Sequence, residues 1–188
     1  MSVAKQSDSS FEFCDHVVPS SILSTYPLVS QYRNTNGESL LFQCNCAECF
    51  RLLISSGVDP DCSRNDSWAA LHLFAYLNDF RRAEWLIKYG ANTNIRDSNL
   101  DTPLHIASLW GNFDFISTLL NAGVDPNHSN ANGDTPLHYA IPNCSFRLVS
   151  KFIANGASVI QSNKNGVTPL DMAKAMGNDE MLGILQVP

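Results

Sequence analysis

Three histidines recur in one context along this chain: Leu71-His72, Leu104-His105 and Leu137-His138, each 33 residues from the one before. Imidazole is the commonest metal ligand and the usual general base near neutral pH, so a repeated histidine invites a zinc or hydrolytic reading. Cys44, Cys46 and Cys49 form a C-x-C-x-x-C run with Cys14 or Cys62 as a possible fourth thiolate. The histidines fail a geometric test as a catalytic or metal centre. Residues that recur once per repeat sit on successive rungs of a stack, roughly 8–10 Å apart. Side chains so spaced cannot converge on one Zn²⁺ through bonds of about 2 Å. The cysteine run lacks a second C-x-x-C, and Cys49 shares its register with the apolar Phe115, which suits a small buried side chain. No Gly-rich phosphate loop, G-x-S-x-G elbow or H-E-x-x-H is present. The sequence therefore predicts no enzyme, no catalytic residue, no cofactor and no metal, with a Cys44/Cys46/Cys49 metal module kept as an alternative.

The elements that carry these residues repeat with them. Gly57, Gly90, Gly123 and Gly156 keep the same 33-residue step, and a fixed period of this length marks a solenoid of stacked units. Asp101-Thr102-Pro103-Leu104-His105-Ile106-Ala107 returns as Asp134 to Ala140 and as Val167 to Ala173, with a weaker copy at Trp68 to Phe74. Thr102, Thr135 and Thr168 suit helix N-caps, and the proline after each fits the first helical position, where its missing N–H is no loss. A second helix follows with apolar spacing, as in Phe113, Ile116, Leu119 and Leu120, and stops at Asn121-Ala122-Gly123. Pro142 breaks the pattern in the fourth unit and predicts an early end to its first helix.

These motifs resemble the ankyrin-repeat signature T-P-L-H-x-A over about residues 35 to 186. The resemblance implies an all-α repeat protein, an ankyrin solenoid of helix–turn–helix units with β-hairpin tips. The predicted organisation is a disordered stretch over 1–10, a cap or short motif over 11–33, and five repeats at 34–62, 63–95, 96–128, 129–161 and 162–188. The first is degenerate. The histidines are then expected to hydrogen-bond the neighbouring turn, and Asp171 departs from that pattern where no further neighbour is expected. The resemblance further implies a protein-binding module: an adaptor, inhibitor or scaffold, or alternatively a substrate receptor or regulatory subunit of a larger complex. Partner choice in the family lies at the tips and on the exposed side of the first helix. Carried onto this chain, those places include Asn99 and Asp101 and an unusual set of aromatic and apolar residues: Trp68, Tyr76, Leu77, Tyr89, Leu109 and Trp110. Asn94 and Asn127 occupy positions where asparagine hydroxylases act on many family members.

Composition narrows the partner. The net charge of −6 over 188 residues argues against nucleic acid or an anionic membrane surface, because phosphate binding needs clustered Lys and Arg. No apolar run approaches the length of a membrane-spanning helix, and the first residues do not read as a signal peptide. The expectation is a cytoplasmic or nuclear protein, monomeric on its own, with its six cysteines reduced, that binds another protein. Ser7, Ser9 and Ser10 beside Glu12 are candidate phosphorylation sites.

Overall fold

A computed structural model describes residues 29–143 and 145–186. The expectations for the N-terminal serines, for Cys14 and for most of the 11–33 segment lie outside the described residues. Nine α-helices are found among those described: α1 Ala47–Ser55, α2 Ala70–Tyr76, α3 Phe80–Lys88, α4 Pro103–Trp110, α5 Phe113–Asn121, α6 Pro136–Ala140, α7 Phe146–Ala154, α8 Pro169–Ala175 and α9 Asp179–Leu185. The helices α2, α4, α6 and α8 stack in one row, and α1, α3, α5, α7 and α9 form a second row behind it. In the first unit the front-row helix shrinks to the 3-10 turn Leu40–Phe42, which packs on α2. This matches the degenerate first repeat expected from the sequence.

The core runs as a continuous seam between the two rows. Phe50, Phe74, Phe115 and Phe152 are fully buried along it, and Leu71, Leu104 and Leu137 of the repeated motif are closed over from the front. Burying each such leucine contributes about 2 kcal/mol. The repeated motif is thus the part of the chain that joins one unit to the next. Cys44 and Cys49 are buried in the same seam, Cys49 in the register of Phe115.

Each front-row helix starts as its residues dictate. Thr102, Thr135 and Thr168 hold extended backbone at the cap, and proline opens the helix behind them. The hydroxyls differ in what they bond. Thr168 Oγ1 accepts from the Asp171 amide at 3.0 Å, whereas Thr102 and Thr135 Oγ1 lie 2.9 Å from Nδ1 of His105 and His138. At the back of each unit Gly123 and its equivalents take φ near +82°, the left-handed turn that ends a helix without a Cβ clash. Pro142 acts as expected. α6 stops after 5 residues and continues as the 3-10 turn Ile141–Asn143, whereas α4 runs for 8.

The tips fold as five-residue turns, closed by backbone bonds such as Asp97 N–H to Asp101 O and Asn130 N–H to Asp134 O. Extended pairing among the described residues is limited to one isolated antiparallel bridge, Ser63 with Ala69. No described helix is long and apolar enough to cross a membrane.

Candidate functional site

The tips are wired to one another by a ladder of side chains. Asn130 Nδ2 donates to Asp101 Oδ1 at 2.8 Å, and Asn163 Nδ2 donates to Asp134 Oδ1 at 2.7 Å. One unit earlier the roles reverse. Asp97 stands in the place of the donor asparagine, and the indole N–H of Trp68 supplies the hydrogen to Asp97 Oδ2 at 3.2 Å. Arg64 closes the first rung on Glu38 at 3.5 Å. The backbone links follow suit: Ala131 N–H donates to Asn99 O and Lys164 N–H to Asn132 O, but Ser98 N–H turns to the Ser67 hydroxyl. The joint between the second and third units is therefore built differently from those that follow.

Behind the ladder the histidines tie each helix start to the next tip. Nδ1 of His72, His105 and His138 accepts from the cap-residue amide at 3.2, 3.1 and 3.0 Å. Nε2 of each lies 3.0 to 3.1 Å from the carbonyl of Asp101, Asp134 or Val167 in the next unit. An accepting Nδ1 places the proton on Nε2, so the network assigns a neutral ring. Burial holds His72 below the ordinary histidine range and His105 down at about 4. Asp171, in the same register, is exposed and folds back on Thr168 and Lys174.

The front surface of α2 and α4 carries the aromatic residues. Trp68 lies 6.1 Å from Tyr76 between ring centres, and Tyr76 meets Trp110 edge-on at 5.2 Å. Trp110 is 57% exposed, and Leu77 and Leu109 beside it are 51% and 49% exposed. In the next unit Pro142 ends the helix, and Asn143 turns inward to donate to Ser108 O at 2.7 Å at the end of α4. The surface beyond Trp110 becomes polar there. An exposed apolar cluster rimmed by polar groups has the make-up of a protein-binding surface.

Two models of known families match the chain: ankyrin repeats (3 copies) over residues 39–130 and ankyrin repeats (many copies) over residues 119–173. The chain belongs to the ankyrin-repeat family. No curated protein matches it. As an ankyrin-repeat protein it is a protein–protein interaction module, and the surface just described lies on the front helices and tips of the solenoid.

The ankyrin frame sorts the candidate residues. Tyr76, Leu77, Leu109 and Trp110 come together as one exposed patch. Trp68 is half-buried, bonded to Asp97 and flanked by the Arg64 guanidinium at 5.5 Å, so it belongs to the ladder as much as to the patch. Asp101 serves the ladder through Asn130 and through its carbonyl to His72, while Asn99 stands exposed beside it. Tyr89 falls away from the group. It caps the end of α3 in the rear row, half-buried with Lys88 above its ring. Trp85 packs on Phe50, 5.5 Å between ring centres, as a core residue. Asn127 bridges to Gly156 O and the Ser158 amide in the next unit, whereas the buried Asn94 Oδ1 has no hydrogen-bond partner among the described residues. Cys46 caps α1, its sulfur 2.8 Å from that of Cys49. No group of three or more His, Cys, Asp or Glu among the described residues is placed to hold a metal ion.

Sequence reasoning missed two residues. Leu100 is exposed at the third tip with φ +61°, where Gly133 and Gly166 hold the same left-handed backbone. A leucine there is strained, and a Cβ built on Gly133 would meet the next tip at 2.9 Å. Register with the two glycines was the available signal. Tyr139 on α6 is the second, its hydroxyl 3.0 Å from the Asn130 amide that also serves Asp101. Its apolar motif position concealed it.

Proposed function

We propose that this ankyrin-repeat protein binds a protein partner through the front of its second and third units, and acts as an adaptor, inhibitor or scaffold in the cytoplasm or nucleus. The observation that carries the reading is the exposed Tyr76–Trp110 edge contact flanked by Leu77 and Leu109. Aromatic residues on a rigid support dominate binding hot spots because they bury much area at little entropic cost. The strained, exposed Leu100 supports the same face, since backbone strain persists at sites where the side chain serves something other than folding. Asn99 and Asp101 at that tip would form the polar rim.

The test compares affinity for the captured partner between the wild-type protein and a Tyr76→Ala plus Trp110→Ala variant. Each truncation at a hot spot costs about 2 kcal/mol of binding or more. An unchanged affinity in a folded variant would rule the face out. Trp68 is a poorer choice for this test, because removing it also breaks the rung to Asp97.

A further inference from the structure

The acids of this chain divide by what they bond. Glu38, Glu48, Asp66, Asp79 and Asp171 each pair with an arginine or lysine. Asp97, Asp101 and Asp134, at the tips beside the aromatic patch, have no cation partner among the described residues. Each bonds a neutral donor instead: the Trp68 indole, the Asn130 amide and the Asn163 amide. Burial pushes the Asp101 carboxyl upward against the Asn130 bond, and the nearby charges of Asp97 and Asp134 add to the push. Maintaining like charges side by side costs energy that an arriving cation would offset.

A chain of contacts joins one of these carboxylates to the patch. Asp97 reaches Trp68, Trp68 reaches Tyr76, and Tyr76 reaches Trp110. Asp101 shares the Asn130 amide with Tyr139 on the next helix. An apolar, aromatic track thus leads along the front helices to a rim of uncompensated negative charge.

Resting on the binding face proposed above, the geometry points to a partner of one chemistry: an extended polypeptide segment with apolar side chains flanked by arginine or lysine. Its apolar groups seat on Tyr76, Leu109 and Trp110, and its cations meet Asp101 and Asp134. Rim charges of this kind steer association and select partners by sign, and aromatic faces also attract guanidinium groups.

The experiment titrates the full chain with two short synthetic peptides of equal length and equal apolar content, one with arginine and one with glutamate at the remaining positions. Fluorescence anisotropy reads the binding. The arginine peptide is expected to bind saturably, and the glutamate peptide at least about tenfold more weakly. Asp101→Asn plus Asp134→Asn removes two charges while each new side-chain oxygen can still accept from Asn130 or Asn163, so the fold is kept. That variant is expected to weaken the arginine peptide by about tenfold or more. Glu84→Gln plus Asp114→Asn, on the rear helices, removes the same charge elsewhere and is expected to change little. Equal weakening by both pairs, undiminished binding to the tip variant, or no saturable binding at roughly millimolar peptide would overturn the proposal. If both peptides bind alike and Trp110→Ala abolishes binding, the face stands and its preference for basic segments fails. If Trp110→Ala leaves arginine-peptide binding intact, the face itself is wrong.

Discussion

The second and third units share a scaffold with the fourth and fifth but present a different surface. In both regions a histidine joins the helix start to the next tip, and in the earlier pair each front helix is capped by an asparagine from the following unit. Asn112 Nδ2 donates to Ala75 O at 2.7 Å, and Asn143 Nδ2 donates to Ser108 O at 2.7 Å. Above that common frame, Tyr76, Leu77, Leu109 and Trp110 project from the earlier pair, while Pro142 and Asn143 replace them in the fourth unit. Even the segment broken by Pro142 supplies a capping bond, through Asn143 to the end of α4. Scaffold bonds therefore persist where the exposed positions drift, and the proposed binding face lies among those drifting positions.

The largest expected effect tests the shared frame. Phe115→Ala and Phe152→Ala remove fully buried rings from the same seam on either side of the divide, and each should destabilise the protein by about 3–5 kcal/mol in denaturant unfolding. A much smaller loss at one of them would mean that the two halves are not equally packed.

Acid comes next. His105 is neutral in the fold with a pKa of about 4, below the unfolded value of 6.5, so the unfolded chain takes up the proton first as pH falls. Stability conferred by the neutral ring is full above pH 6.5, declines as pH falls from there towards about 4, and is flat below; the gap corresponds to about 3 kcal/mol. Asp101, raised in the fold, works in the opposite sense over the carboxylate range and softens the decline. Unfolding of wild type and His105→Gln across that pH window should show a shallower histidine-linked slope in the variant, where the lowered His72 still contributes.

Smaller effects sharpen the contrast. Asn112→Ala and Asn143→Ala should each cost about 1 kcal/mol, and by similar amounts, because each removes the side-chain donor from a helix-end carbonyl that keeps only a backbone partner. Leu100→Gly should raise stability by about 1 kcal/mol, because the left-handed turn no longer carries a Cβ. On the proposed face, the same change should weaken partner binding. A leucine that proves neutral in both measurements would be a tolerated accident.

Much of this was legible in the sequence. The period, the Thr-Pro helix starts, the glycine stops and the break at Pro142 all follow from local chemistry that a single chain displays. The apolar patch could be read because a repeat supplies its own reference: Trp110 and Leu77 stand where Asn143 stands in the next unit. What escaped depended on pairing across units. Trp68 looked like a free aromatic, and only the placement of Asp97 opposite its indole shows that it also completes a rung. Tyr89 shares the residue type of the patch but caps a rear helix, and residue type carries no face by itself. The threonines suit N-caps by type; that in two units the hydroxyl also lies against the buried histidine ring is visible only in the folded geometry.

Binding is thus proposed for the surface peculiar to the second and third units, and stability for the frame that the units share. Isothermal titration of the captured partner into wild type, Trp110→Ala and Met176→Ala tests it directly, since Met176 is the exposed apolar counterpart of Trp110 in the last unit. Trp110→Ala is expected to lose about tenfold or more in affinity with an unchanged unfolding midpoint, while Met176→Ala binds like wild type. Equal losses at both positions, or full affinity in Trp110→Ala, would contradict it.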